Sequence, residues 1–205
     1  INFENALNIH KRWGTNYMNP GIYRALGDSY HNIDEHKKEE DTYALGLLLF
    51  PDHPTIMEYQ TICILSQGDT VNAEALLNNY RTIRRDENMW SESRILSALG
   101  NIYEDAGVLD IAESSYRKSL ELDPDNPARL NDLARFLINN DINVNEGLTI
   151  AEKALEQKSN EWNYLDTKGW GMYKVGKYEE ALKVLTDAWV LKPIYDHGVY
   201  KHLEE

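Results

Sequence analysis

The chain of 205 residues contains a single cysteine, Cys63. An intrachain disulfide is thereby excluded, and so is a zinc cluster built on several thiolates. Basic residues are scarce beside acidic ones: 21 Lys and Arg stand against 34 Asp and Glu, giving a formal net charge of −13 and a pI near 4.9. A surface of that sign repels phosphate backbones and anionic lipid, so no nucleic acid partner is expected. No apolar run approaches the roughly 20 residues needed to span a bilayer. The longest, ALGLLLF at 44–50, sits inside a helical pattern, so no membrane insertion is expected. The opening INFENALN lacks a methionine and a signal-peptide pattern. It reads as a cut inside a longer protein, which leaves the compartment, cytoplasmic or periplasmic, open. What remains is an ordinary balance of 42% hydrophobic and 27% charged residues, sufficient for a packed core.

Motifs that carry chemistry are also missing. Six histidines occur, but His31 and His36 stand five residues apart, as do His197 and His202. That spacing does not set both imidazoles on one helical face, so no metal site is expected. DPDN at 123–126 begins like a calcium loop without its later glycine and glutamate, and is better read as a turn before a helix. GWG at 169–171 lacks the third glycine of a dinucleotide fingerprint. The pairs Glu39–Glu40 and Glu179–Glu180 fit solvated helix starts. No serine sits in a nucleophile elbow. The expectation is no catalytic residue, no cofactor and no enzyme within this chain.

What the chain does have is a period. Asp34, Gly68, Gly107, Asp141 and Gly176 each separate one amphipathic helical pattern from the next, at spacings of 34, 39, 34 and 35 residues. Glycine and aspartate tolerate the positive φ with which helices commonly end. Seven residues before each break stands Gly27, Thr61, Gly100, Ala134 or Gly169, small enough for a neighbouring helix to approach. With Tyr23, Met57, Leu96, Leu130 and Leu165 before them, and Tyr30, Ile64, Tyr103, Leu137 and Met172 after, they form an i, i+4, i+7 stripe. Five residues after the breaks come Glu39, Ala73, Ala112 and Ala181, with Gly147 one place late. The second helices close near Pro51, Pro124 and Pro193.

LGNIY…AESSY…P at 99–124 resembles the tetratricopeptide repeat, with its W-x2-L-G-x2-Y, A-x3-F and P frame. ALGDSY…P at 25–51 and KGWGMYKVGKYEEALKVL…P at 168–193 share the likeness. The departures are Thr61 for glycine, Arg85 for proline, Glu39 for alanine, and an extra residue near Asn143. The resemblance implies an all-α, right-handed α-solenoid of stacked antiparallel helix pairs. It divides the chain into a second helix at 1–19, repeats at 20–53, 54–92 (with an insertion at 88–92), 93–126, 127–161 (degenerate) and 162–196, and a first helix of a further repeat at 197–205. Met89 and Trp90 within the insertion are expected to fold back over the joint between repeats. The style of the repeats is similar to bacterial members.

In this family the second stripe of each first helix lines a concave groove where peptides bind. Carried onto this chain, the stripe gives Arg24, Asp28, Glu58, Ile62, Arg94, Asn101, Glu104, Asn131, Arg135, Asp166, Trp170 and Tyr173. Asparagines there suit a peptide backbone, arginines a carboxylate, and the aromatics an apolar anchor. Clamping of a chaperone tail is disfavoured, because Ser97 and Asn163 stand where bases would be wanted. The expected function is a protein-interaction scaffold whose partner is a protein, a peptide or another domain of the same longer chain. An accessory region beside a catalytic domain is the alternative, and end-to-end self-association a third reading.

Overall fold

The computed structural model describes residues 19–192 and 201–202. The expected helix at 1–19, apart from Asn19, and most of that at 197–205 lie outside them. The described residues form ten α-helices: α1 Gly21–His31, α2 His36–Leu49, α3 Pro54–Ser66, α4 Thr70–Asp86, α5 Glu92–Asp105, α6 Leu109–Leu122, α7 Pro127–Asn139, α8 Val144–Gln157, α9 Trp162–Lys174 and α10 Tyr178–Leu191. The fold is an all-α solenoid of helix pairs.

Each pair is joined by the same backbone device. Asp34, Gly68, Gly107, Asp141 and Gly176 all have positive φ, between 53° and 82°. The residue after each returns its N–H to a carbonyl five residues back: Glu35 to Tyr30, Asp69 to Ile64, Val108 to Tyr103, Ile142 to Leu137 and Lys177 to Met172. The break residue itself bonds three back, as Gly107 does to Glu104. Together these satisfy the carbonyls that a helix end leaves open. Starts are capped by side chains where the sequence permits. Asp69 accepts from Asn72 N–H and Asn126 from Ala128 N–H, with Pro127 at the first helical position. Asn143, the place of the extra residue, accepts from Glu146 N–H and donates to its carboxylate.

Proline marks where three of the second helices stop. α2, α6 and α10 each end two residues before Pro51, Pro124 or the position of Pro193. α4, with Arg85 in the proline place, runs on to 17 residues, whereas α8, which also lacks a proline at its end, stops at 14 like α2, α6 and α10. The insertion follows α4. Trp90 packs on Arg84, whose guanidinium lies 4.1 Å from the ring centroid. Met89 does not fold back: it is 83% exposed and holds a positive φ of 54°.

The chain falls into two compact units. The first comprises residues up to Ser91 with Asn101–Ala112; the second comprises Glu92–Gly100 with the residues from Glu113 on. In the first, α1 packs on α2, α2 on α3 and α3 on α4. Tyr23, Tyr43, Ile56 and Cys63 are buried together, with Leu45, Leu47, Phe50 and Tyr59 against them. In the second, α7 packs on α8, α8 on α9 and α9 on α10. Leu130, Ala154 and Tyr164 are buried there under Leu120, Ile150 and Leu155. Ser93 and Ser119 exchange hydrogen bonds from each hydroxyl to the other's carbonyl, at 2.9 and 2.6 Å, fixing the start of α5 to α6.

Candidate functional site

In the second unit the stripe is carried by the first helices α7 and α9, which pack on each other, and by the start of α5. The spacing that buries Leu130, Ala134 and Leu137 toward α8 turns Asn131 and Arg135 to the adjoining face. Most charges on this face close on one another. Ser97 donates to Asp132 at 2.5 Å, and Arg129 pairs with the same carboxylate at 3.3 Å. Arg135 donates to the Tyr116 hydroxyl at 3.1 Å. Lys174 reaches Asp141 at 2.6 Å. Asp166 meets His202 Nδ1 at 2.9 Å.

Trp170 does not stand alone either. Its ring stacks on Tyr173 at 5.1 Å and on His202 at 4.3 Å between centroids, both nearly coplanar. Two groups are left over. The side-chain carbonyls of Asn131 and Asn163 are buried and have no hydrogen-bond partner among the described residues. Asn131 belongs to the expected stripe. Asn163, which the sequence reading places only where a base would be wanted, lies three residues before Asp166 on the same helix.

In the first unit the stripe forms a small charged cluster. Arg24 lies 3.4 Å from Asp28 and over the Tyr59 ring at 5.3 Å. Tyr43 donates to Asp28 at 3.1 Å, and burial beside that carboxylate pushes its phenol far above the usual range. Glu58 is raised by loss of water, and Arg84 and Arg24 pull the other way against Asp105. The His53 ring is lowered, chiefly by burial, and its Nδ1 is buried without a partner. Ile62 is half-buried on the same helix as Glu58, and Asn101 and Glu104 are half-buried on α5. Arg94, on the portion of α5 in the second unit, is exposed. Cys63 is a core residue whose thiol burial pushes up to about 11, which leaves it a poor nucleophile.

A cleft of about 680 Å³ lies elsewhere in the second unit, over Leu120, Leu130, Leu133 and Ile150 between α6 and α8. Its rim is closed by Arg117, which grips Glu146 at 2.7 and 3.1 Å and Glu113 at 2.8 Å. It is a seam between second helices, away from the stripe.

Two histidines five residues apart do converge at one place. His31 ends α1 and His36 begins α2, so no single helical face relates them, and the turn at Asp34 brings both to Glu39.

Residues 93–126 match the family model "Tetratricopeptide repeat". No curated protein matches the chain. Among solved structures, YrrB, described as a TPR protein with an unusual peptide-binding site, is 16% identical over 98% of this chain and 97% of its own, with a TM-score of 0.51. The Cut9–Hcn1 hetero-tetramer of the APC/C is 14% identical over 90% of this chain, with a TM-score of 0.53, and the match covers 35% of that structure's chain. These likenesses bear on the fold. Residues 93–126 are matched in sequence to one tetratricopeptide repeat, and helix pairs closed by the same turn recur through the described residues, so the fold is similar to that of tetratricopeptide repeat proteins.

Proposed function

We propose that the chain is a protein-interaction scaffold, and that its second unit binds an extended peptide along α7 and α9. The observation that carries this reading is the pair of buried, unpartnered carbonyls at Asn131 and Asn163. An unpaired buried acceptor costs about 1–3 kcal/mol, which an arriving N–H donor offsets. Peptide N–H groups recur regularly along an extended chain, and an amide oxygen accepts them whatever side chains follow. The charges nearby are already paired within the protein, so the face reads backbone more than charge. Arg135, Asp166, Trp170 and Tyr173 then border the peptide as a polar and aromatic rim. The peptide-binding site described for YrrB on a similar fold is in keeping with this reading.

Panning a displayed library of random linear peptides against the untagged chain, then calorimetry with those recovered, tests the proposal. The recovered peptides are expected to bind one per chain. The double substitution Asn131→Leu with Asn163→Leu is expected to weaken them roughly tenfold or more, with the helical circular dichroism unchanged. A library that yields no binder, or binders indifferent to the double substitution, overturns it.

A further inference from the structure

Position 39 is the place where the other repeats put a small residue. Ala73, Ala112 and Ala181 are buried there, with Gly147 beside the equivalent place in the fourth. Glu39 is buried too, at 5% exposure. Removing a carboxylate from water is costly unless it meets positive charge. No lysine or arginine meets it among the described residues. Lys38, next in sequence, pairs with Glu35, and Lys37 pairs with Glu40 and Asp41. The side-chain partners of Glu39 are two imidazoles: its Oε2 lies 3.2 Å from Nδ1 of His31 and 3.4 Å from Nδ1 of His36.

Those separations are long for a charge-assisted hydrogen bond, which is typically about 2.7–2.9 Å. They suit something else. Four-coordinate zinc with bonds of about 2.0–2.1 Å holds neighbouring donors roughly 3.3 Å apart. One donor atom from each of His31, His36 and Glu39 lies within 4.8 Å of the others. The imidazoles are 62% and 58% exposed, so an ion can reach them from solvent while the carboxylate anchors it from below.

We infer that His31, His36 and Glu39 form a binding site for a first-row divalent transition metal ion, Zn²⁺ in the first place, across the α1–α2 turn. Two nitrogens and one oxygen are the donor set of zinc, nickel, copper and cobalt, whereas magnesium and calcium prefer oxygen alone. Three protein ligands leave one position for water. Bound there, the ion neutralises the buried carboxylate and ties the last turn of α1 to the first of α2. The site is independent of the peptide-binding reading, since it rests on other residues in the other unit.

Titration of the untagged chain with ZnCl₂ by calorimetry, and with CoCl₂ by visible absorption, decides the matter. One ion per chain is expected, with a four-coordinate cobalt spectrum that zinc abolishes, and a rise in the thermal midpoint with zinc. His31→Ala, His36→Ala and Glu39→Ala are each expected to weaken binding roughly tenfold or more. Glu39→Ala installs the residue that other repeats carry, so its fold is retained, and its circular dichroism verifies this. Absence of binding, or binding unaltered in the His31→Ala with His36→Ala double variant, overturns the inference.

Discussion

The ring of Tyr116 lies against the Cα of Gly100, so closely that a β-carbon at residue 100 would stand 2.7 Å from it. The same register recurs sixteen residues apart in Gly27 with Tyr43 and in Gly169 with Leu185. The small residue is therefore a socket for one particular side chain of the second helix. Gly100→Ala forces a fully buried ring to move and is expected to cost about 1–3 kcal/mol, despite the higher helix propensity of alanine. Urea denaturation followed by circular dichroism measures it, and an unchanged midpoint would show that the socket has slack.

The turn after α5 makes a different demand. Gly107 has a φ of +77° with nothing within 4 Å of an added β-carbon, so space is not the constraint there. Gly107→Val is expected to destabilise by about 1–2 kcal/mol through backbone strain alone. Met89 offers the converse, holding a similar φ without glycine's freedom while its side chain stands in solvent. Met89→Gly is expected to stabilise by up to about 1 kcal/mol, measured by the same denaturation, and a loss of stability would mean the methionine side chain contributes more than its strain costs.

These two positions show what sequence could and could not disclose. The five breaks were legible because positive φ admits few residue types, and the chain obeys that rule at Asp34 and Asp141 as well as at its glycines. Met89 breaks the rule, so the sequence carried no sign of its conformation. The groove stripe was carried over from the family frame, and such a frame gives the helix face a side chain occupies and not whom it meets. Arg135 engages Tyr116, and Trp170 stacks with Tyr173 and His202, through contacts across helices that no local pattern encodes. The His31, His36 and Glu39 convergence was hidden for a related reason: sequence spacing orders side chains along one helix, and these residues sit on two helices joined by a tight turn.

Arg117 bridging to Glu146 ties α6 to α8 and gives the second unit a dependence on acid. The guanidinium holds the Glu146 carboxyl below its usual range, more than burial raises it. A carboxyl depressed in the folded state stabilises above its unfolded value, and that contribution disappears as pH falls through the folded one. Both partners are about a third exposed, which limits the pair to roughly 0.5–1 kcal/mol. Glu146→Gln is expected to lose that much at neutral pH and nothing in acid, as read from denaturation midpoints at both. An equal loss at both would assign the effect to the Asn143 cap, which Glu146 also accepts from.

Glu58 has the opposite sign. Desolvation raises its carboxyl, and the attraction of Arg84 and Arg24 does not offset it. A carboxyl raised in the folded state destabilises above that raised value, and the penalty fades as pH falls toward the unfolded one. Glu58→Gln keeps the shape and removes the charge. The variant is therefore expected to be more stable than the parent by up to about 1 kcal/mol at neutral pH, with the two converging in mild acid. Paired urea titrations at the two pH values check this. A less stable glutamine variant at neutral pH would mean that the two arginines hold the charged carboxylate more firmly than burial opposes it, reversing the order of causes at this position.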